Sequence, residues 1–321
     1  MTKHRTRLAP SPTGALHIGN ARTFLINWAL AKQRSWDVVL RIEDLDSPRI
    51  KPWAHQQAID VLQWLGMVCD EPALVQSAQP QPYLDAMKSL AQQGQIFRCD
   101  LTRREIERAA AAPHQSPSEG PSENRFPRHL RPTQKEAFLF EPTAASSYRF
   151  QIEDDLVTFE DQLQGPQAVN VAADIGDFVV WTQRQQPAYQ LAVVVDDIRQ
   201  GITDVVRGDD LLTSAARQTL IYKALGAAVP KWWHLPLVVG PDGRRLAKRH
   251  GDSRLITYLQ AGVPAERVIG LIASYSGLCS TPVPMSLDDF TRSFVLDNIP
   301  RQQVVFTQES HQWLLADSSS S

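Results

Sequence analysis

The stretch Arg7-Leu8-Ala9-Pro10-Ser11-Pro12-Thr13-Gly14-Ala15-Leu16-His17-Ile18-Gly19-Asn20 constrains the fold more than any other part of the chain. Pro10 and Pro12 cannot extend a helix and hold the residues before them in extended geometry, so a strand running through Leu8 has to stop there. Past Gly14 the pattern turns helical, because Ala21, Leu25 and Trp28 fall at i, i+4 and i+7 and form one apolar face. A strand, a tight turn and a helix start in that order leave backbone N–H groups pointing outward, where an anion can sit. His17 and Asn20 lie three apart on the first turn, so both side chains can reach a phosphate held at that end. A doubly wound domain of any kind contains such a unit, with His17 acting only as a cap.

Residues 37–46 read as a buried parallel strand ending in acids. The carboxyl ends of such strands line the binding crevice of open α/β sheets, which places Glu43 beside the helix carrying His17. Glu43 could hold an ammonium group by a charge-assisted hydrogen bond; equally, Glu43 or Asp44 could pair with Arg41 or cap the next helix. Helices follow over 53–65, ended by Gly66, and 83–93, ended by Gly94. Residues 96–107 read as a strand entering a short helix, and 109–123 as a polar, proline-rich loop expected to be mobile. Period-two patterning over 148–152, 156–159 and 177–181 predicts short antiparallel strands of an inserted module.

The five apolar residues from Leu191 to Val195 precede Asp196 and Asp197, so 188–197 reads as another buried strand. A strand-end segment through Arg207 and a helix to Ala224 come next, then a strand over 235–239 that turns at Gly240-Pro241-Asp242-Gly243. Helices are expected over 265–278 and 287–296, before a frayed tail at 317–321. Arg207 can fork onto a carboxylate and the Tyr189 hydroxyl can fix a second oxygen, although nearby acids offer Arg207 plain ion-pair partners. Lys248, in the basic loop from Arg244 to Asp252, can neutralise charge on phosphate oxygens if it faces a helix N-terminus. A basic surface turn explains the same loop without chemistry.

A chain of 321 residues, 43% hydrophobic and 21% charged, suits a soluble protein with one large or two ordinary domains. No run approaches a membrane helix, and Met1-Thr2-Lys3-His4-Arg5 leads into the first strand without a signal-peptide core, so a cytoplasmic protein is expected. Three scattered cysteines, Cys69, Cys99 and Cys279, fit a reducing compartment. The net charge of −2 excludes a general cationic nucleic-acid binder. Arginines nevertheless cluster over 98–131 and basic residues over 244–254, which suits a phosphate-backbone partner that has to be released. A solvated charged surface would look the same. Nothing in the pattern calls for an obligate dimer, so a monomer is expected.

In order and spacing, these segments resemble the class I aminoacyl-tRNA synthetases of the glutamyl/glutaminyl branch. Arg7 to Gly14 resembles the branch's entry segment, and His17-Ile18-Gly19-Asn20 its His-Ile-Gly-His motif, with Asn20 in the last position. Arg245-Leu246-Ala247-Lys248-Arg249 is similar to the Lys-Met-Ser-Lys-Ser motif in its glutamyl variant, with Lys248 on a motif lysine and Ala247 at a serine. The resemblance runs over roughly residues 5 to 275. It implies an α/β, doubly wound parallel-sheet (Rossmann-like) catalytic domain with an inserted α+β module and a C-terminal helical extension. The expected parts are 1–95, the inserted module at 96–180 with its mobile loop at 109–124, 181–240, and 241–321.

The resemblance also implies ATP with Mg²⁺ and L-glutamate as substrate. Arg7, Ala9, Ser11, Glu43, Tyr189 and Arg207 would hold glutamate, with Glu43 on the ammonium. Arg7, Leu8, Ala9, Pro10, Ser11, His17, Asn20 and Lys248 would bind ATP, and His17, Asn20 and Lys248 would act in catalysis. Full-length glutamyl enzymes continue into an anticodon-binding region, whereas roughly 70 residues follow Lys248 here. That length resembles the shortened paralogues of the branch, which activate glutamate without tRNA and esterify it onto queuosine at the wobble position of tRNA(Asp). The alternatives are a truncated or discriminating enzyme charging a tRNA 3′ end, and an RNA-binding relative without catalysis.

The branch commonly holds zinc in the insertion through a Cys-x-Cys pair and a later Tyr and Cys. Here Cys99 keeps the first place, Leu101 takes the second, and Phe126 and Leu130 stand where the last two belong. His114 and His129 are the other nearby donors. One thiolate cannot make a tetrahedral site, so zinc is expected to be absent and the module to be held by its apolar strands.

Overall fold

A computed structural model of the chain describes residues 3–12, 15–45, 53–110, 125–133, 135–142, 146–153, 156–244, 246 and 253–316. By contact the chain forms two units, one from Met1–Val75, Ile202–Leu211 and Lys231–Ser321, the other from Gln76–Gly201 and Leu212–Pro230. None of the described helices is long and apolar enough to cross a membrane.

Strand β1 (Arg5–Leu8) ends before the two prolines, as the sequence requires, and α1 (Ile18–Gln33) follows the turn. Next come β2 (Asp37–Ile42), α2 (Trp53–Trp64) and β3 (Leu74–Val75). Pairing is parallel throughout, from Arg5↔Asp37 to Leu8↔Leu40 and again at Arg41↔Leu74. Ala21, Leu25 and Trp28 are buried, and so is nearly every other residue from Ala21 to Ala31, so α1 is a central helix rather than an amphipathic surface one.

The second unit starts with α3 (Gln81–Gln92), β4 (Ile96–Cys99) and α4 (Arg103–Ala110). It continues through β5 (Ser147–Phe150), β6 (Leu156–Asp161), β7 (Gly165–Asn170), α5 (Val171–Asp174) and β8 (Phe178–Trp181). As the period-two patterning predicts, β5 pairs antiparallel with β8, and it also pairs so with β4; β6 pairs antiparallel with β7, a strand that the patterning does not mark. Of the mobile loop expected over 109–124, residues 111–124 lie outside the described residues, while 109 and 110 end α4.

Residues 188–197 are not the expected strand: Tyr189–Gln200 is helix α6, ended by Gly201 at φ +65°. Leu191 to Val195 are all buried because α6 packs on α3, α7 (Leu212–Ala224) and β8, so burial on several faces erased the helical period. Its two acids are structural. Asp196 accepts from Gln76 Nε2 at 2.7 Å and from the Tyr83 hydroxyl at 3.0 Å, and Asp197 accepts from the Tyr222 hydroxyl at 3.0 Å.

Back in the first unit, β9 (Asp204–Gly208) runs beside β1 in the same direction, with Thr203 N donating to Arg5 O at 2.9 Å. Strand β10 (Lys231–Leu235) pairs parallel with β9, from Lys231↔Asp204 to Leu235↔Gly208. The strand expected over 235–239 is therefore displaced, because Pro236 ends β10 and leaves Val238–Val239 as a separate β11. Helices α8 (Leu255–Gln260), α9 (Ala265–Tyr275) and α10 (Leu287–Ser293) follow. Then β12 (Val304–Val305) pairs parallel with β11, and α11 (Gln308–Leu315) ends the described chain. Neither α8 nor α11 was expected from the sequence. The tail at 317–321 lies outside the described residues.

Neighbouring strands in the first unit thus stand as β3-β2-β1-β9-β10, all pointing the same way. The chain moves outward from β1 in one direction and resumes on its other side at β9. That reversal makes the β1/β9 seam a topological switch point, with a crevice at the carboxyl ends of the strands.

Candidate active site

His17 is the N-cap of α1, and its Nδ1 accepts the N–H of Gly19 at 3.1 Å while Asn20 Oδ1 accepts the N–H of His17 at 2.9 Å. This reciprocal cap answers two of the helix's orphan donors and fixes both side chains over the first turn. A Cβ at Gly19 would lie 3.0 Å from His17 Cε1, so a larger residue there would have to push the capping imidazole aside. The chain crosses this helix start again at 253–255, where Ile18 N donates to Ser253 O at 3.0 Å and Leu255 N to Leu16 O at 2.8 Å.

Along the sheet edge, buried Arg7 donates Nη1 to Val206 O at 3.2 Å and so spans the β1/β9 seam. Leu8 is fully buried and Pro10 is buried; Ala9 and Ser11 are half-buried. Pro10 O accepts the N–H of Glu43 at 3.0 Å, which ties the end of β1 to the end of β2. Glu43 is paired with Arg41, whose Nε and Nη2 donate to Oε1 at 3.2 and 3.0 Å. Asp44 lies 3.1 Å from His55 Nε2 on α2.

Arg207 closes β9 as a buried guanidinium. Its Nε donates to His234 Nε2 at 2.9 Å, its Nη2 to Leu211 O at 3.2 Å, and its Cζ sits 4.8 Å over the Trp232 ring. Because arginine only donates, His234 accepts with an unprotonated Nε2. The geometry matches an oriented guanidinium rather than a solvated surface charge.

The structure adds polar residues that sequence reasoning passed over. Arg22, inside the apolar face of α1, is buried and donates Nη1 to Pro236 O at 2.6 Å. Burial pushes its guanidinium down to about 10, while Asp209 acts against that shift. The Asp209 carboxyl is pushed up, first by burial and then by Asp210, with Arg22 opposing. Gly208 leaves no room for a side chain, since a Cβ would lie 2.6 Å from Asp210 Oδ1 and 2.8 Å from Leu237 Cδ2. The available signal was a basic residue at a helix position otherwise surrounded by hydrophobics, and a pair of acids directly after Arg207-Gly208.

Arg7, Ala9, Ser11, His17, Asn20, Glu43 and Arg207 therefore belong to one unit, at strand ends or at the start of α1. Tyr189 belongs to the other unit, as the half-buried first residue of α6. Lys248 lies outside the described residues, with Arg245, Ala247 and Arg249; Leu246 is half-buried.

The positions compared with a zinc site meet in one apolar cluster. Cys99, Phe97, Ile106 and Phe126 form it, and Leu101 and Leu130 pack against it. The Phe97 and Phe126 rings lie 5.6 Å apart and Arg149 Cζ sits 4.5 Å over Phe126. Three of the four positions carry hydrocarbon, so this donor set does not fit tetrahedral zinc. His129 is exposed, and His114 lies outside the described residues. Among the described residues no group of three or more His, Cys, Asp or Glu is placed to hold a metal ion.

Residues 3–294 match the family described as tRNA synthetases class I (E and Q), catalytic domain. The chain is 46% identical over 280 residues to a Rhodopirellula baltica protein named glutamyl-Q tRNA(Asp) synthetase, covering 85% of each. It is 35% identical to a Synechococcus protein named glutamate–tRNA ligase, over 97% of this chain and 67% of that one. A solved glutamate tRNA ligase from Elizabethkingia meningosepticum superposes with a TM-score of 0.78 at 26% identity, over 98% of this chain and 69% of that one. With the family match running over most of its length, the chain belongs to the class I tRNA synthetases of the E and Q type.

Proposed function

We propose that this ligase activates L-glutamate with ATP, without needing tRNA for that step, and then esterifies it to the queuosine base at the wobble position of tRNA(Asp). The observation that carries the reading is the β1/β9 switch point, with Arg7 across the seam, Glu43 at the end of β2 and Arg207 at the end of β9. The choice of acceptor is supported by the higher identity to the relative named for glutamyl-Q tRNA(Asp) than to the glutamate–tRNA ligase.

In this reading Arg41 orients the Glu43 carboxylate to accept the substrate ammonium, a charge-assisted bond. Arg207, set by His234 and Leu211, takes the side-chain carboxylate, and Tyr189 fixes a further oxygen. Arg7, Ala9 and Ser11 line the glutamate entrance, and Leu8 and Pro10 serve ATP through their backbone. His17 and Asn20 hold the triphosphate at the start of α1, where N–H groups and the helix dipole favour anions. Lys248 neutralises phosphate charge, and the chain that follows it is bonded to α1 at Ser253.

The glutamate α-carboxylate attacks the α-phosphorus, pyrophosphate leaves, and a hydroxyl of the queuosine cyclopentenediol then takes the glutamyl group as AMP departs. Mg²⁺, when bound, supplies charge neutralisation on the leaving pyrophosphate, and the substrate's own phosphates rather than a protein cage would carry it. No covalent enzyme intermediate is needed; positioning and charge stabilisation supply the rate. The protein acts in this scheme as a cytoplasmic monomer.

Two assays test it. Glutamate-dependent exchange of labelled pyrophosphate into ATP is expected without RNA. Labelled glutamate is expected on queuosine-containing tRNA(Asp) and not on the queuosine-free form. Equal charging of both RNAs, or label recovered with the 3′-terminal adenosine after nuclease digestion, overturns the choice of acceptor.

A further inference from the structure

Arg22 lies inside the first unit where three segments meet: α1, the turn after β9, and the link from β10 to β11. One peptide unit of that link is held at both ends. Arg22 donates Nη1 to its carbonyl, Pro236 O, at 2.6 Å, and the Asp209 carboxylate accepts its N–H, that of Leu237. The two side chains also attract each other as opposite charges. Proline fixes φ at residue 236, so the orientation of this peptide sets the direction in which the chain leaves β10.

Stability does not account for Arg22. It is only 1% exposed, yet its Nε and Nη2 meet no hydrogen-bond partner among the described residues. A cation kept out of water in this way adds little over an apolar side chain of similar volume, and its unmet donors add a cost. What the clamp governs lies downstream. From Leu237 the chain runs through β11 beside the first turn of α1, where Val238 Cβ lies 3.6 Å from the place a Cβ on Gly19 would take. Beyond the loop that carries Lys248 it comes back to the same helix, with Ile18 N donating to Ser253 O at 3.0 Å. Both legs of that loop are therefore fixed on α1, the outgoing one through Arg22 and the returning one through Ile18.

We propose that Arg22 and Asp209 are positioning residues of the ligase, which clamp the Pro236–Leu237 peptide between them and so set where the chain enters the Lys248 loop relative to the start of α1. Neither touches substrate in this role. The assignment rests on Lys248 and the start of α1 serving the triphosphate, so its effect falls on ATP rather than on glutamate.

Arg22→Met keeps the length of the side chain and removes its donors, Arg22→Lys keeps a donor for Pro236 O, and Asp209→Ala removes the acceptor of the Leu237 N–H. Circular dichroism and melting temperature serve as folding controls. In glutamate-dependent pyrophosphate exchange, Arg22→Met should raise KM for ATP about tenfold and leave KM for glutamate within about twofold, a small misplacement remote from the chemistry being enough for such a loss. Arg22→Lys should recover most of it. Hydrogen exchange of the Leu237 amide, measured without substrates, should quicken in Arg22→Met and in Asp209→Ala. An unchanged Leu237 amide in both folded variants overturns the clamp. KM for ATP and for glutamate rising together, no change in either, or no recovery with lysine overturns its positioning role. Absence of pyrophosphate exchange in wild type is a failure of the activation reading, and the clamp is then decided by the Leu237 amide alone.

Discussion

The sheet edge of the first unit and the Cys99 cluster of the second both occupy places where the family resemblance expects buried polar side chains. They have gone opposite ways. At the edge, Arg7, Arg41, Glu43, Arg207 and His234 are buried and hydrogen-bonded to one another or to the backbone. In the cluster, Leu101, Phe126 and Leu130 set hydrocarbon around Cys99 at the positions where the resemblance implies ligands. Ionic groups out of water lose hydration and return it only through tight pairing, so a site with a purely structural task can be rebuilt from apolar packing at little cost. A site that recognises charged substrates has no such substitute.

The sharpest test of that contrast is Arg207→Ala. It should lower kcat/KM for glutamate-dependent exchange by on the order of 100-fold or more, the scale for deleting one member of a buried charge-assisted contact. A loss below about fivefold in folded protein would put Arg207 among structural residues. The counterpart in the cluster is Phe126→Ala, expected to cost about 3 kcal/mol in urea unfolding. Exchange per folded molecule should stay as in wild type.

Asn20→Ala should lose about 1 kcal/mol of stability by removing the cap acceptor, with Asn20→Asp restoring most of it. A destabilisation without rescue would mean that the amide nitrogen, rather than the carbonyl oxygen, holds the helix start. The smallest expected effect is that of chelation. Dialysis against EDTA should leave the melting temperature unmoved, and mass spectrometry should find no stoichiometric zinc. A drop of several degrees would break the comparison at its apolar end.

The parts of the fold that could be read directly were those with local punctuation. Pro10 and Pro12 end β1, Gly66 and Gly94 end α2 and α3 with positive φ, and the acids after Ile42 mark a strand end. Helix α6 escaped because its period was hidden by packing on several sides, although Gly201 offered a C-cap signal twelve residues after Tyr189. Arg207 was visible as a strand-end cation. His234 was not, because its link to Arg207 is a cross-strand register, His234↔Arg207, that no linear pattern records. Trp233 is similar, bonding Asp204 Oδ1 at 3.1 Å through a pairing that appears only when β10 docks on β9.

Helix α1 carries a further consequence. Midway along it Asn27 takes the Thr6 hydroxyl on Oδ1 at 2.9 Å and gives Nδ2 to Arg7 O at 2.9 Å, while Arg22 grips Pro236 O at 2.6 Å. A slip of one residue would turn the helix by about 100° and break all three at once. Such a rod has a single allowed setting, so the capped helix start at its tip is a fixed reference point. Mutations loosening α1 should therefore shift that helix start before they unfold the protein.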